Sequence, residues 1–334
     1  MPPAESFDTA DLQSVVLKHL DTDPDSLGFR PVSTGKHNRS FWVESDVGRY
    51  VLRIAPPDDD PPTDPRFLFY ERRMMHQEPE LHTLIRRETE LPIPAIVGYD
   101  FDRSIIDRDY VLMRALPGTP LSDVRGIRRA ARARALRQVG RHLRDLHRLT
   151  AVEHMDQEAY GYLGAHRPME PQPTWDEAFY VMWNLLLHDV VACGAYTEAE
   201  AGRFRDLLDR HRASFAHPVA PRLLHMDVWS QNILIDDSGN VTGLVDFDRA
   251  LWGDVEIEFA VLDYCGISEP AFWEGYGRTR PQSPDATVRQ RFYLLYEIQK
   301  YMPIRVWRSQ DPSGAERYKR ASFSIAAELG MGRR

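Results

Sequence analysis

Long apolar runs, cysteine and excess positive charge are all scarce in this chain of 334 residues, and each scarcity removes a class of answer. No stretch of about 18 consecutive apolar residues occurs, so no transmembrane helix and no membrane partner are expected. The opening "MPPAESFDTADLQ" has neither a basic n-region nor an apolar h-region, so no signal peptide is expected. Only Cys193 and Cys265 are present, without the spacing of a disulfide framework or a metal site. A reducing cytoplasm is therefore the expected compartment. The formal net charge of -8 disfavours nucleic acid as the main ligand and suits a cationic small molecule. One segment runs against that charge: "RGIRRAARARALRQVGRHLRDLHRL" (125–149) is crowded with arginine. Its Leu136, Val139, Leu143 and Leu146 recur at helical spacing, which predicts a helix with its arginines in water. A groove for RNA or a phosphorylated partner is the competing reading.

The pattern of what is present changes once along the chain. "DTADLQSVVLKHL" (8–20) reads as a capped amphipathic helix. "SFWVE" and "YVLRI" are strand-like and flank the turn "SDVG". "APPDDDPPTDP" (55–65) is a loop sequence. A helix is expected over 66–90, with Leu81, Leu84 and Ile85 on one side, and then strands at "LPIPAIVGYDF" and "RDYVLMRALPG". Beyond "LPGTPLSD" the chain reads as helical, over 125–149, 174–192 and 197–215 and again past 268. Short strands interrupt it at "RLLH", "NILID" and "VTGLVDF", with "DDSGN" as a hairpin turn. No internal repeat is found. The expected organisation is α+β: residues 1–115 as a small β-rich lobe with a main helix, 116–334 as a larger helical lobe, and a ligand cleft between them.

"HMDVWSQN" (225–232) places His225, Asp227 and Asn232 in one loop between apolar strands, and Asp246 ends the paired strand fourteen residues after Asn232. The hairpin brings both segments to the same place. Two carboxylates and an amide oxygen are hard donors that suit Mg²⁺, which keeps water and substrate phosphates in its shell. The order Asp, Asn, Asp is that of a kinase site. A lone Asp-x-x-x-x-Asn arises by chance, and a polar turn between buried strands is the plain alternative.

"HMDVWSQN" resembles the catalytic loop of the aminoglycoside phosphotransferases and their small-molecule kinase relatives, and "VDFDRALWGD" resembles their Asp-Phe/Trp-x…Gly-Asp segment. "YVLRI", "MMHQEPELHTLIRRETELPIPAIV", "YVLMRALPG" and "VGRHLRDLHRL" fit, in order, that family's phosphate strand, glutamate helix with its Pro-x-Pro strand, hinge and Leu-His helix. The resemblance implies a two-lobed, protein-kinase-like fold and transfer of a phosphoryl group from ATP or GTP to a small molecule. It implies that Asp227 accepts or orients the acceptor hydroxyl and that His225 braces the loop. Asn232 and Asp246 would hold Mg²⁺. Glu78, with Glu80 as competitor, would pair with the basic phosphate ligand. That ligand is Arg53 in place of the usual lysine, with Lys36 in "STGKHN" as the alternative. Met113 would line the base pocket, the Arg114–Leu116 backbone would meet the nucleobase, and Asp254 would cap the helix that follows.

Asp248 either faces the metal side, where it is also a candidate for contact with the acceptor, or caps a turn. Asp176, Glu177 and Glu297 are candidates for drawing in a cationic acceptor, although the aromatic stretches around them read first as core. The favoured acceptor is an antibiotic or related natural product. "DVWSQN" resembles the fructosamine kinases and supports a ketosamine, sugar or amino alcohol instead. A catalytically silent nucleotide-binding protein is the reading from another class. Monomer and homodimer are both compatible with the sequence.

Overall fold

Alternation along the strands builds the first half of the molecule. The computed structural model describes residues 7–32, 38–56, 67–155, 158–164, 166 and 168–332. Helix α1 (Thr9–Leu17) starts on the side chain of Asp8. Strands β1 (Gly28–Pro31), β2 (Arg39–Ser45) and β3 (Gly48–Ile54) follow, then α2 (Glu78–Glu88), β4 (Ile96–Asp100) and β5 (Tyr110–Arg114). The strands form one antiparallel sheet in the order β1-β2-β3-β5-β4. Successive side chains of a strand point to opposite faces. Tyr50, Leu52 and Ile54 of β3 and Tyr110 and Leu112 of β5 therefore pack with Leu12, Val15 and Val16 of α1. Val111 and Met113 face the other way, beside Ala55, Met75 and Val51. Arg53 shares the parity of Val51, which puts it on this second face.

The helix expected over 66–90 begins later. Arg73 adopts a left-handed φ of 53°, a 3₁₀ turn covers Met74–Gln77, and α2 starts at Glu78 with Pro79 in its first turn. Proline is tolerated there because its missing N–H would have no helical partner. The preceding residues are held as a loop: the Phe69 N–H donates to Asp189 at 2.8 Å, and Leu68, Phe69 and Tyr70 are buried in the core of the second lobe.

The second lobe is helical with two small sheets. Strand β6 (Thr119–Pro120) leads into α3 (Arg129–Leu146), α4 (Ala151–His154), α5 (Trp175–Ala192) and α6 (Glu198–His211). Then come β7 (Arg222–Leu224), β8 (Ile233–Ile235), β9 (Val241–Leu244) and β10 (Leu251–Gly253). Helices α7 (Val255–Tyr264), α8 (Pro270–Tyr276), α9 (Pro284–Gln299), α10 (Tyr301–Pro303) and α11 (Pro312–Glu328) complete it. Strand β8 lies between β6 and β9, and β10, absent from the sequence reading, pairs with β7.

The arginine-rich helix is α3. Its Leu136, Val139, Leu143 and Leu146 are buried, while Arg132 and Arg137 reach Glu269 and Glu274 at 2.7 and 2.6 Å. Glycine permits the close approach of α3 to α8: a Cβ on Gly140 would lie 2.2 Å from the Phe272 carbonyl oxygen. The aromatic stretches are core, with Trp175, Phe179, Trp183, Phe292, Tyr293 and Tyr296 all buried. Among the described residues, no helix is long and apolar enough to cross a membrane.

Candidate active site

The loop after β7 is held from beneath by one buried carboxylate. Glu258 of α7 accepts the N–H of His225 at 3.0 Å and of Met226 at 2.8 Å. His147, at the end of α3, adds an Nε2 contact to Glu258 at 2.9 Å. Burial would raise the Glu258 carboxyl, but the His147 hydrogen bond and the nearby positive potential outweigh it and hold it below the usual glutamate range. Met226 takes φ 65°, in the left-handed region that disfavours a long side chain, and so turns Asp227 out of the strand direction.

His225 ties this loop to the second acidic segment. Its Nδ1 accepts the Asp227 N–H at 3.2 Å, and its Nε2 lies 3.1 Å from the carbonyl of Val245. Accepting at one nitrogen and donating at the other assigns the neutral tautomer with the proton on Nε2. Val245 in turn donates its N–H to the Asn232 carbonyl at 3.1 Å. The residue before Asp246 is thus fastened to both ends of the 225–232 loop. Asp246 follows at φ 75°, a second non-glycine left-handed position.

Asn232 directs its amide nitrogen at Asp227, 2.9 Å from the backbone carbonyl and 3.1 Å from Oδ2. Its amide oxygen is thereby left on the other side. Asp246 retains 38% side-chain exposure, and among the described residues only its Oδ1 is engaged. Among the described residues no cluster of three His, Cys, Asp or Glu side chains is arranged for a metal. Asn232 and Asp246 offer two hard oxygen donors, a set that suits a Mg²⁺ which keeps water and phosphate ligands.

Arg53 is the hub on the opposite lobe. Nη1 donates to both oxygens of Glu78 at 2.8 Å, and Nη2 donates to Asp246 at 3.0 Å and Asp248 at 2.9 Å. Between the two candidate glutamates the geometry is unambiguous, because Glu78 is fully buried against Arg53 while Glu80 is exposed. Burial pushes the Glu78 carboxyl up to about 7 against the opposing pull of Arg53. Burial and the Asp246 charge push Asp248 well above the usual aspartate range. One guanidinium facing three carboxyl groups leaves this corner short of positive charge. Asp248 neither caps a turn nor stands free for an acceptor. Its side chain meets Arg53, and its carbonyl accepts from the buried Gln77 amide at 2.7 Å.

Other expected residues fall elsewhere. Glu297 is not an open anionic site: it is 1% exposed, with Lys300 at 2.6 Å and Arg249 at 3.4 Å. Asp176 and Glu177 serve the start of α5, both accepting from the Thr174 hydroxyl, and Asp176 also pairs with Arg212 at 3.3 Å. No hydrogen bond or ion pair among the described residues joins either of them to the Asp227 loop. Asp254 caps α7 through the Glu256 N–H and accepts from the Tyr293 hydroxyl at 3.0 Å. At the hinge, Met113 lies on the Arg53 face of the sheet. The Arg114 N–H is spent on the Ala95 carbonyl at 2.8 Å, whereas the Leu116 N–H has no protein acceptor among the described residues. The Arg114 side chain lies over Tyr50 on the far face. Lys36 lies outside the described residues.

Arg249 escaped the sequence reading. Its Nη1 donates to Asp227 Oδ1 at 3.0 Å, and its guanidinium lies 5.4 Å from the Tyr70 ring centre. Glu297 and Lys300 stand behind it. Burial would raise the Asp227 carboxyl, but the charges of Arg249 and Lys300 outweigh that and hold it below the usual aspartate range. The only signal in the sequence was a basic residue three positions after Asp246.

Comparison with known proteins gives the family and the fold. Residues 28–290 match the model of the phosphotransferase enzyme family, APH. A probable ketoamine kinase of Vibrio parahaemolyticus is 24% identical over 80% of this chain and 83% of its own length. A probable ketoamine kinase of Vibrio cholerae is 25% identical over the same shares. Among solved structures, a thermostable mutant of aminoglycoside phosphotransferase APH(4)-Ia, in ternary complex with AMP-PNP and hygromycin B, superposes with a TM-score of 0.68 at 17% identity. The match covers 97% of this chain and 100% of that one. A putative fructosamine-3-kinase of Thermobifida fusca gives 0.67 at 18% identity over 96% and 99% of the two chains. With its small antiparallel sheet, helical second lobe and paired acidic loops, the chain belongs to the APH phosphotransferase family and is a small-molecule kinase.

Proposed function

We propose that this protein is a Mg²⁺-dependent kinase that phosphorylates a hydroxyl of a ketosamine or a similar amino-bearing polyol. One observation carries the chemistry: Asp227, Asn232 and Asp246 are fastened around Val245 and face the Arg53–Glu78 pair of the other lobe. The acceptor class rests on the curated relatives, which are named probable ketoamine kinases and align over 80% of the chain. It rests also on the "DVWSQN" wording of the loop.

Asp227 orients the acceptor hydroxyl for in-line attack and takes its proton as the new oxygen–phosphorus bond forms and the bridge to the leaving nucleotide breaks. Arg53, fixed by Glu78, turns to the phosphates, which its planar fork suits. Asn232 and Asp246 hold the metal, which neutralises charge on the phosphates when bound. The Leu116 N–H is the free hinge donor for the nucleobase. His225 keeps the loop in register with Asp246.

The test is a mass-spectrometric transfer assay with Mg²⁺ and an ATP/GTP mixture. Its acceptor panel spans ketosamines, sugars, amino alcohols and aminoglycosides. Ketosamines should gain one phosphoryl group. Asp227→Asn should cut the rate by roughly 10²–10⁴ while nucleotide still binds. Transfer to aminoglycosides alone would overturn the acceptor assignment, and full turnover by Asp227→Asn would overturn the role of Asp227. Nucleotide binding with no product from any class would favour a silent binding protein.

A further inference from the structure

A second cavity, of about 520 Å³, opens between the end of α3, the approach to β7 and the turn after α8. Its lining includes His147, which holds Glu258 beneath the Asp227 loop, and Asp254, but no residue of the Asp227 loop itself. Its wall carries Arg144, Arg148, Arg222 and Arg278. Acidic compensation falls short. Arg144 and Arg148 share the single carboxylate of Asp145, at 3.2 and 3.1 Å. Arg222 donates to the Arg148 carbonyl at 3.1 Å, and Arg278 donates to the Tyr276 hydroxyl at 3.3 Å. Among the described residues neither has a carboxylate partner.

The acids at the cavity floor are already committed. Asp254 caps α7 and accepts from Tyr293, and Glu256 holds Arg289 at 2.8 and 3.2 Å. Between the arginines stands an aromatic surface made by Tyr276 and Phe259, whose rings meet edge to face. That surface is rigid. The Tyr276 hydroxyl lies 2.8 Å from His147 Nδ1, and the other nitrogen of His147 is fixed by Glu258.

We propose that this cavity is a binding site for a small phosphate monoester, with Arg222 and Arg278 as its charge partners. A phosphate monoester carries nearly two negative charges at neutral pH, one for each uncommitted guanidinium. The guanidinium fork matches phosphate oxygens in geometry as well as charge. The volume is that of a small-molecule site and exceeds what a bare phosphate fills. Tyr276 and Phe259 are themselves buried, with Phe272 stacked on Tyr276 and Arg278 over its ring. The organic part therefore meets the fixed cavity wall and not a bare ring face, and fixed walls reduce the ordering cost of binding. The site stands independently of the acceptor used in the catalytic cleft.

Titration calorimetry on the full chain tests this, with phenyl phosphate as the probe and phenol and inorganic phosphate as controls. Mg²⁺ and saturating AMP-PNP would occupy the catalytic cleft throughout. Phenyl phosphate should bind once per chain, more tightly than inorganic phosphate, and phenol should give no heat. The double variant Arg222→Gln/Arg278→Gln should lose roughly tenfold or more in affinity. Its thermal midpoint and its AMP-PNP binding, measured alongside, establish that it is folded. Absence of binding at millimolar probe, or an unchanged affinity in the folded double variant, would overturn the proposal.

Discussion

At the scale of single residues, the decisive feature is how little freedom Asp227 has. Asn232 restrains one oxygen and Arg249 the other, at 3.1 and 3.0 Å. Arg249 is itself 8% exposed and backed by Glu297 and Lys300. A carboxylate held this way points its remaining lone pairs in a fixed direction, and orientation of a reacting hydroxyl is worth several kcal/mol of barrier. Arg249→Gln should therefore lower kcat by roughly 10–10²-fold with the nucleotide KM unchanged, and Arg249→Lys should recover part of the loss. Steady-state kinetics separates the two parameters. A wild-type kcat in a folded Arg249→Gln protein would mean that Asn232 alone suffices to position the carboxylate. Glu297 belongs to the same restraint, and its burial explains why its acidity says nothing about a cationic acceptor.

At the scale of elements, α7 serves as the platform of the site: its Glu258 receives two backbone N–H groups of the catalytic loop and the ring of His147. The Glu258 carboxyl lies below its ordinary value of 4.5 in the folded protein. A depressed carboxyl contributes stability that is fully present above the unfolded value and is lost as pH falls through the folded one. Glu258→Gln places an amide donor against an N–H group, and it should cost about 2–4 kcal/mol at pH 7. Denaturant melts of wild type and variant from pH 7 to pH 3 should show the gap narrowing below about 4.5. A gap that stays constant with pH would show that Glu258 acts by packing rather than charge. Sequence spacing could not reveal this platform, since Glu258 looks like any acid in the first turns of a helix. The hairpin carrying Asp227 and Asp246 was legible, because apolar strands and a "DDSGN" turn are short-range signals. That Arg53 and Met113 share a face depends on the register of β3 against β5, which spacing within either strand does not fix. The extent of α2 was not legible. Leu68, Phe69 and Tyr70 are captured by the core of the other lobe, a long-range contact that no local pattern encodes.

At the scale of the whole molecule, the Arg53 side chain spans the cleft. Arg53 belongs to the sheet of the first lobe, and its Nη2 reaches Asp246 and Asp248 of the second. Nucleotide phosphates and a metal ion would divide that contact between them, the phosphates taking Arg53 and the metal taking Asp246. Across the cleft the charges of Arg53, Asp246 and Asp248 satisfy each other in part, with one guanidinium against more than one carboxyl group. Magnesium nucleotide should stabilise the protein against heat, because a ligand that binds only the folded state adds RT ln(1 + [L]/Kd), or about 2.7 kcal/mol at a hundred times Kd. Asp246→Asn keeps the Arg53–Glu78 pair and the neutral hydrogen-bonding shape but removes the charge that would meet the metal. The variant should keep its thermal midpoint without ligand to within a few degrees and lose most of the increment that Mg²⁺ adds to AMP-PNP. Thermal scans with AMP-PNP plus EDTA and with AMP-PNP plus Mg²⁺ measure that increment directly. If the increment survived in Asp246→Asn, the metal would be held by other groups. Arg53 would then be closing the cleft on Asp246 for structural reasons alone.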